Sequence, residues 1–264
     1  AEKALPYAKY YYKDMAPIPQ ADLDIINKGP IDAKFALPVS ERERMLDEGY
    51  LATETGYCLM PDGTGFAATK VFMKDVTPDM LDWWFNWHPL ESLRYAIWCP
   101  VAHVGISAET PDAHKDSCGI DRHTRNYGKS HFPIEGFDID GAQKIRIRFF
   151  RPEEVLADMS RFVEPNISCL YTATCSKETP LLNIPINFFM HCVRKAEGGV
   201  EYRSRYWVGM TVTSDRRIIP AKRPYPRELL LATARNNAIH SLTEYNNLAS
   251  ILPELYREYG AHIE

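Results

Sequence analysis

The segment QKIRIRFF, residues 143–150, alternates apolar Ile145, Ile147 and Phe149 with Arg146 and Arg148. A two-residue period of this kind predicts a half-buried strand whose arginines form the solvated face. ISCLYTATCS, from Ile167, also reads as a strand, and YLATETGYCLM and FAATKVFM read as two more, joined by a tight turn at Pro61-Asp62-Gly63-Thr64-Gly65. The clearest hairpin runs from LLNIPINFFMHCVRKAE through Gly198-Gly199 into VEYRSRYWVGMTVTS, because two glycines suit the positive φ angles of a two-residue turn. With Gly198 and Gly199 as the loop, Glu197 faces Val200, and six steps along each strand His191 faces Tyr206 on one side of the sheet.

Helical periods appear in two places. Thr77-Pro78 supplies a cap and a first-turn proline for a helix through LDWWFNWH, whose three tryptophans in five residues predict a heavily buried wall. Pro226 to about Tyr259 reads as one long C-terminal helix with Pro253 inside it. Residues 1–48, rich in Pro, Asp and Lys, read as an N-terminal arm or small subdomain, with a short helix capped by Ser40; residues 49–264 form the main domain. The order of strands, Trp-rich helix, further strands and final helix suggests an α+β fold, a curved antiparallel sheet gripping the last helix around a cavity.

Composition narrows the function. The chain has 264 residues, 45% hydrophobic and 25% charged, with a net charge of −4 and no basic stripe, so nucleic acid and anionic membrane surfaces are poor partners. No apolar run approaches the roughly 20 residues that span a bilayer, and the polar start AEKALPYAKYYYKD lacks a signal-peptide core, which gives a cytoplasmic expectation. The six cysteines form no CxxC pair, so free buried thiols are expected.

The final helix holds the first chemistry. His240 and Glu244 stand four positions apart on one face, and Asn236 or Asn237 and Asn247 continue the stripe where a packing face would be apolar. Such a pair can hold a metal ion or form a plain surface hydrogen bond. His114, His123 and His131 fall in a polar loop and read as solvent-exposed residues or a lid. Asp62-Gly63-Thr64-Gly65 is too short for a phosphate loop, and no Gly-x-Ser-x-Gly elbow is present.

DWWFNWHPLESLRY, the Trp-x-Pro-x-x-His ending at His103, the Ile-Glu-Gly around Glu135, RSRYWVG, and the last His-x-x-x-Glu with its Leu-Pro-Glu-Leu-Tyr tail occur in that order. The set, spread over residues 50–259, resembles the 2,4-diacetylphloroglucinol hydrolase family, which includes phloretin hydrolases. The resemblance implies a Bet v 1-like helix-grip domain with a small N-terminal extension. It also implies one catalytic Zn2+ per chain, held by His103, Glu135, His240 and Glu244. His103 is preferred to His88 by its place at the end of the Trp-x-Pro-x-x-His element, while Asp138 and Asp140 stand close enough to compete with Glu135. Imidazole and carboxylate donors suit zinc, and also nickel, iron or manganese.

Tyr95, His191 and Tyr206 match residues that line the family's active site and are the candidate catalytic groups. The implied reaction is hydrolysis of the carbon–carbon bond between an acyl group and a polyhydroxylated, phloroglucinol-type ring in a small phenolic ketone. Which of the three groups protonates the ring is left open. Tryptophans 83, 84, 87 and 98 are assigned to the walls. Ile106 stands where family members can carry a polar Asn, and Cys99 and Val101 replace more polar choices, so phloretin and other acylphenols are as open as diacetylphloroglucinol. A non-enzymatic helix-grip carrier of phenolic ligands and a structural zinc site are the alternatives, and a homodimer is compatible with all three.

Overall fold

The structure, a computed structural model, describes residues 5–136, 141–162, 167–179, 181, 183–222 and 225–264. In chain order its regular elements are α1 (Gln20–Asn27), β1 (Gly56–Leu59), β2 (Gly65–Lys74), α2 (Pro78–Trp87), α3 (Ser92–Ala96), β3 (His103–Gly105), β4 (Ser130–His131), β5 (Ile134–Glu135), β6 (Gln143–Phe150), α4 (Pro152–Val155), β7 (Cys169–Glu178), β8 (Asn183–Ala196), β9 (Gly199–Val208), β10 (Met210–Val212), β11 (Ile218–Pro220) and α5 (Arg227–Tyr259), with short 3-10 turns between them. An antiparallel sheet runs β1-β2-β9-β8-β7-β6-β5-β3, with β4 also on β6, and β10 and β11 pair separately.

Helix α5 lies against one face of this sheet. Gly65 of β2 makes the close approach possible, since a Cβ there would stand 2.9 Å from the Leu230 carbonyl oxygen and 3.0 Å from the Val208 Cβ. Farther along, Thr69 and Ser241 hydrogen-bond through their hydroxyls at 2.7 Å. This is the helix-grip arrangement that the strand pattern and the resemblance led one to expect. Strand alternation divides the interior in two: Ala67, Phe189, Tyr206 and Val208 pack with α2 and α5, while Phe66, Phe188, Met190 and Trp207 pack on the opposite face with Leu37, Met45 and Leu46. The sheet is therefore covered on both sides, one of them by the N-terminal segment.

Helix α2 starts as expected, with the Thr77 hydroxyl accepting from the Met80 amide and Pro78 in the first turn. Trp83, Trp84 and Trp87 are buried, and all six cysteines are unpaired. The short helix near Ser40 differs: it is a 3-10 turn over Val39–Leu46 that begins after Pro38, with no side-chain cap.

The hairpin register also differs from the sequence expectation. Ala196 faces Gly199, so the turn is Glu197-Gly198, and His191 faces Ser204 while Tyr206 faces Phe189. Gly198 takes the positive φ of +76°, whereas a Cβ on Gly199 would sit 2.2 Å from the Met73 carbonyl oxygen, so the second glycine serves the β2 contact rather than the turn. Moving the loop by one residue shifts the pairing by two, which preserves the face of every side chain. His191 and Tyr206 still share a face as diagonal neighbours, ring centroids 5.6 Å apart at 74°.

Candidate active site

A cavity of about 530 Å³ lies between the sheet and α5. Phe85, Trp98, Ile145, Phe149 and Phe189 give it apolar walls, and Tyr95, Glu135, His191, Tyr206, His240 and Glu244 put polar groups on them. Ile106 also lines it and presents hydrocarbon there. Trp98 lines the cavity as well, and its indole N–H donates to the Glu244 carbonyl at 3.1 Å, joining α5 to the turn after α3.

Four carboxylate and imidazole groups meet at one side. His240 and Glu244 come from adjacent turns of α5, with Nε2 and Oε2 3.4 Å apart. His103 and Glu135 face each other as partners across β3 and β5. His103 Nε2 lies 3.3 Å from His240 Nε2, 3.5 Å from Glu244 Oε2 and 3.6 Å from Glu135 Oε2. With bonds of about 2.0–2.2 Å to a central ion, the edge of a tetrahedron is about 3.3–3.6 Å, so the spacing of His103, His240 and Glu244 suits three donors around one cation. Glu135, 3.6 Å from His103 but outside that close group, completes the set only by turning its carboxylate inward. His103 Nδ1 donates to the Tyr95 carbonyl at 3.2 Å, which leaves the Nε2 lone pair directed at the cluster. Asp138 and Asp140, the competitors of Glu135, lie outside the described residues.

Without a cation, burial and mutual charge pull the members of the cluster in different directions. Burial holds His103 well below the ordinary histidine range, and the neighbouring His240 adds to the effect. Burial also opposes charge on His240, but the Glu244 carboxylate outweighs it, with help from Glu135, and raises His240 to about 9. Burial lifts Glu244 to about 7 against the pull of His240. Charge on His240 is thus favoured by Glu244, and charge on His103 is disfavoured.

Tyr95 is more closely tied to this cluster than its sequence position suggested. Its hydroxyl donates to Glu135 Oε2, and its ring stacks on His103 with centroids 3.9 Å apart and planes 4° apart. His191 is buried, with Nδ1 hydrogen-bonded to Ser204 Oγ at 2.8 Å, and desolvation lowers it to about 3. Burial pushes the Tyr206 phenol far above its usual value, so it stays protonated. Asn247 does not reach the cavity: its amide donates to the Trp98 and Ile97 carbonyls at 2.9 and 3.3 Å and holds the backbone ahead of His103.

The polar loop departs from expectation. His114 and His131 are buried, not solvent-exposed: His131 lines the cavity, its Nε2 is 3.2 Å from His114 Nε2, and His114 Nδ1 is 3.1 Å from Asn86 Oδ1. Asp116 makes this burial possible by binding Arg122 Nη2 at 2.6 Å and Arg125 Nη1 at 2.9 Å, so the loop satisfies its own charges. His88, also buried, lines the cavity and hydrogen-bonds the Trp84 carbonyl through Nδ1 at 2.8 Å. Arg146, read as solvated, is half-buried and donates to Ser130 Oγ, because β4 covers that end of β6.

A family model described as the DAPG hydrolase PhiG domain matches residues 37–257. The chain belongs to this family. A 2,4-diacetylphloroglucinol hydrolase from Pseudomonas sp is 29% identical, over 97% of this chain and 88% of its own length. A phloretin hydrolase from Eubacterium ramulus is 30% identical, over 97% of this chain and 91% of its own. Among solved structures, Ara h 8.0201 aligns with a TM-score of 0.39 and 10% identity over 72% of this chain and 99% of its own. Within the DAPG hydrolase family match lie all the cluster residues, together with Tyr95, His191 and Tyr206. No helix among the described residues is long and apolar enough to cross a membrane.

Proposed function

We propose that this protein is a zinc-dependent hydrolase that cleaves the carbon–carbon bond between an acyl group and a phloroglucinol-type ring. The reading rests on one observation above the others: one imidazole and two carboxylates lie within 3.3–3.6 Å of His103 Nε2, the four groups coming from three elements, beside an aromatic-walled cavity. His103, Glu135, His240 and Glu244 would hold the ion, two carboxylates balancing its charge. When bound, it would supply Lewis acidity to a carbonyl or water oxygen.

The chain's own groups account for the rest of the reaction. A phloroglucinol-type ring tautomerises to a ketone, so a proton delivered to the acyl-bearing carbon places the scissile bond in a vinylogous β-diketone. Water then adds its hydroxyl to the acyl carbon, the bond pair returns to the ring as an enolate, and the products are a carboxylic acid and the free phenol. Tyr95 is committed to Glu135, which leaves Tyr206 as the protonated donor facing the cavity and neutral His191 as its partner in orienting the phenolic oxygens. Phe85, Trp98 and Phe189 exclude water from the ring face.

Incubation with phloretin and assay for phloroglucinol, alongside elemental analysis, tests the proposal. Turnover is expected with about one equivalent of metal in this cluster. Chelation and His240→Ala should each abolish turnover while the far-ultraviolet circular dichroism of the variant stays native. Phloretin binding that survives both treatments with no turnover at any stage would instead identify a carrier.

A further inference from the structure

We propose that Asp82, His123 and Cys169 form a second cation site, separate from the cavity cluster, that takes a zinc-like divalent ion through one carboxylate, one imidazole and one thiolate. Asp82 lies on α2, His123 in the 3-10 turn Arg122–Thr124, and Cys169 opens β7, so three distant parts of the chain supply the donors. One donor atom from each falls within 4.8 Å of the other two. His123 Nδ1 hydrogen-bonds both Asp82 carboxylate oxygens, at 3.2 and 3.1 Å, a little inside the edge of about 3.3–3.6 Å expected between two ligands of one ion, and a closing movement on the order of 1 Å brings the sulfur to bonding range. The Tyr171 hydroxyl donates to Asp82 Oδ1 at 2.8 Å, the kind of outer contact that fixes a ligating carboxylate.

Burial separates this reading from another that the same residue types invite. A thiol, an imidazole and a carboxylate can form a nucleophilic triad, but Cys169 has no exposed surface, so an acyl carbon cannot reach it. The His123 and Asp82 side chains are 26% and 13% exposed, which gives a small hydrated cation a route from solvent. Thiolate, imidazole and carboxylate together suit zinc better than magnesium or calcium, and the two anionic ligands cancel its charge. On binding, Cys169 releases its proton to solvent, and the His123 ring proton, which in the metal-free site sits on Nδ1 toward Asp82, moves through solvent to Nε2. Such an ion would fasten the loop between β3 and β4 to the first residue of β7, the same loop that leads into His131 at the cavity. Its role is structural.

Cobalt distinguishes the two sites, because only this one contains sulfur. The metal-free full-length chain should be titrated with Co2+ and followed by absorbance. Two equivalents are expected, with a thiolate-to-cobalt charge-transfer band in the near ultraviolet that is lost in Cys169→Ser. In His123→Asn, which changes a partly exposed residue and so tests the site if the core variant misfolds, cobalt affinity at the sulfur site should fall at least tenfold. Absence of the band from the wild type, or its persistence in both variants, would overturn the proposal. A band without cobalt uptake by the His/Glu cluster would support this site while refuting the proposed catalytic one.

Discussion

Tyr95 touches two of the four clustered residues, Glu135 through its hydroxyl and His103 through its carbonyl and its ring. Tyr206 touches neither and faces the cavity from β9. The two phenols, grouped together on sequence alone, therefore have separable roles. Tyr95→Phe should lower metal affinity about 10–100-fold along with turnover, since the carboxylate loses the group that orients it. Tyr206→Phe should keep full metal affinity and lose about 10²–10⁴ in kcat, the range for removal of a proton donor. Metal-buffered titration beside steady-state kinetics reads both; unchanged affinity in Tyr95→Phe would return that residue to the substrate side.

Strand β9 explains why RSRYWVG is a recognisable stretch. Its Ser204 and Tyr206 face the cavity cluster side, while Arg203, Arg205 and Trp207 face the other way and grip the N-terminal segment. Arg203 donates to the Met45 carbonyl at 3.2 Å, Arg205 to the Thr53 carbonyl at 2.8 Å, and the Trp207 indole to the Leu37 carbonyl at 2.8 Å. Glu54 lies between the two guanidinium groups, 2.7 Å from Arg203 and 2.9 Å from Arg205; despite its burial they hold its carboxyl down at about 2. Glu54→Gln leaves two buried cations under-compensated and should cost about 3–5 kcal/mol in urea unfolding. A loss below about 1 kcal/mol would mean that solvent already screens the triad. Elements with a long repeat are legible in the sequence itself: the alternation of β6, the cap of α2, and the His240–Glu244 pair carried on one helix. The β3–β5 pairing that sets Glu135 opposite His103 is not, because strands of three and two residues are too short to show a period. Burial of His114 and His131 is hidden as well, since a loop rich in charge looks solvated until Asp116 is seen binding its own arginines.

Across the whole molecule, several histidines are buried away from any carboxylate that would favour their charged form. Desolvation lowers His88 to about 3, His191 to about 3 and His114 to about 4. In the unfolded chain each returns to about 6.5, so between pH 6.5 and their folded values the unfolded state binds more protons. The stability linked to their neutral forms is therefore complete above pH 6.5 and is lost as the pH falls below it. One group costs about 2 kcal/mol between pH 7 and pH 5, and three together cost about 6 kcal/mol, comparable with the whole stability of many domains. Glu54 reinforces the trend only at lower pH, where its unfolded carboxyl begins to protonate. Urea unfolding of the metal-free chain across pH 7 to 5 should show this decline, deepened by His103 and His131, which burial also depresses, and partly offset by Glu244, raised to about 7. His88→Phe should shrink the loss by about 2 kcal/mol while leaving the others to act. A flat profile over that interval would mean that these imidazoles find water or charge in the folded protein, and their desolvation would have to be reconsidered.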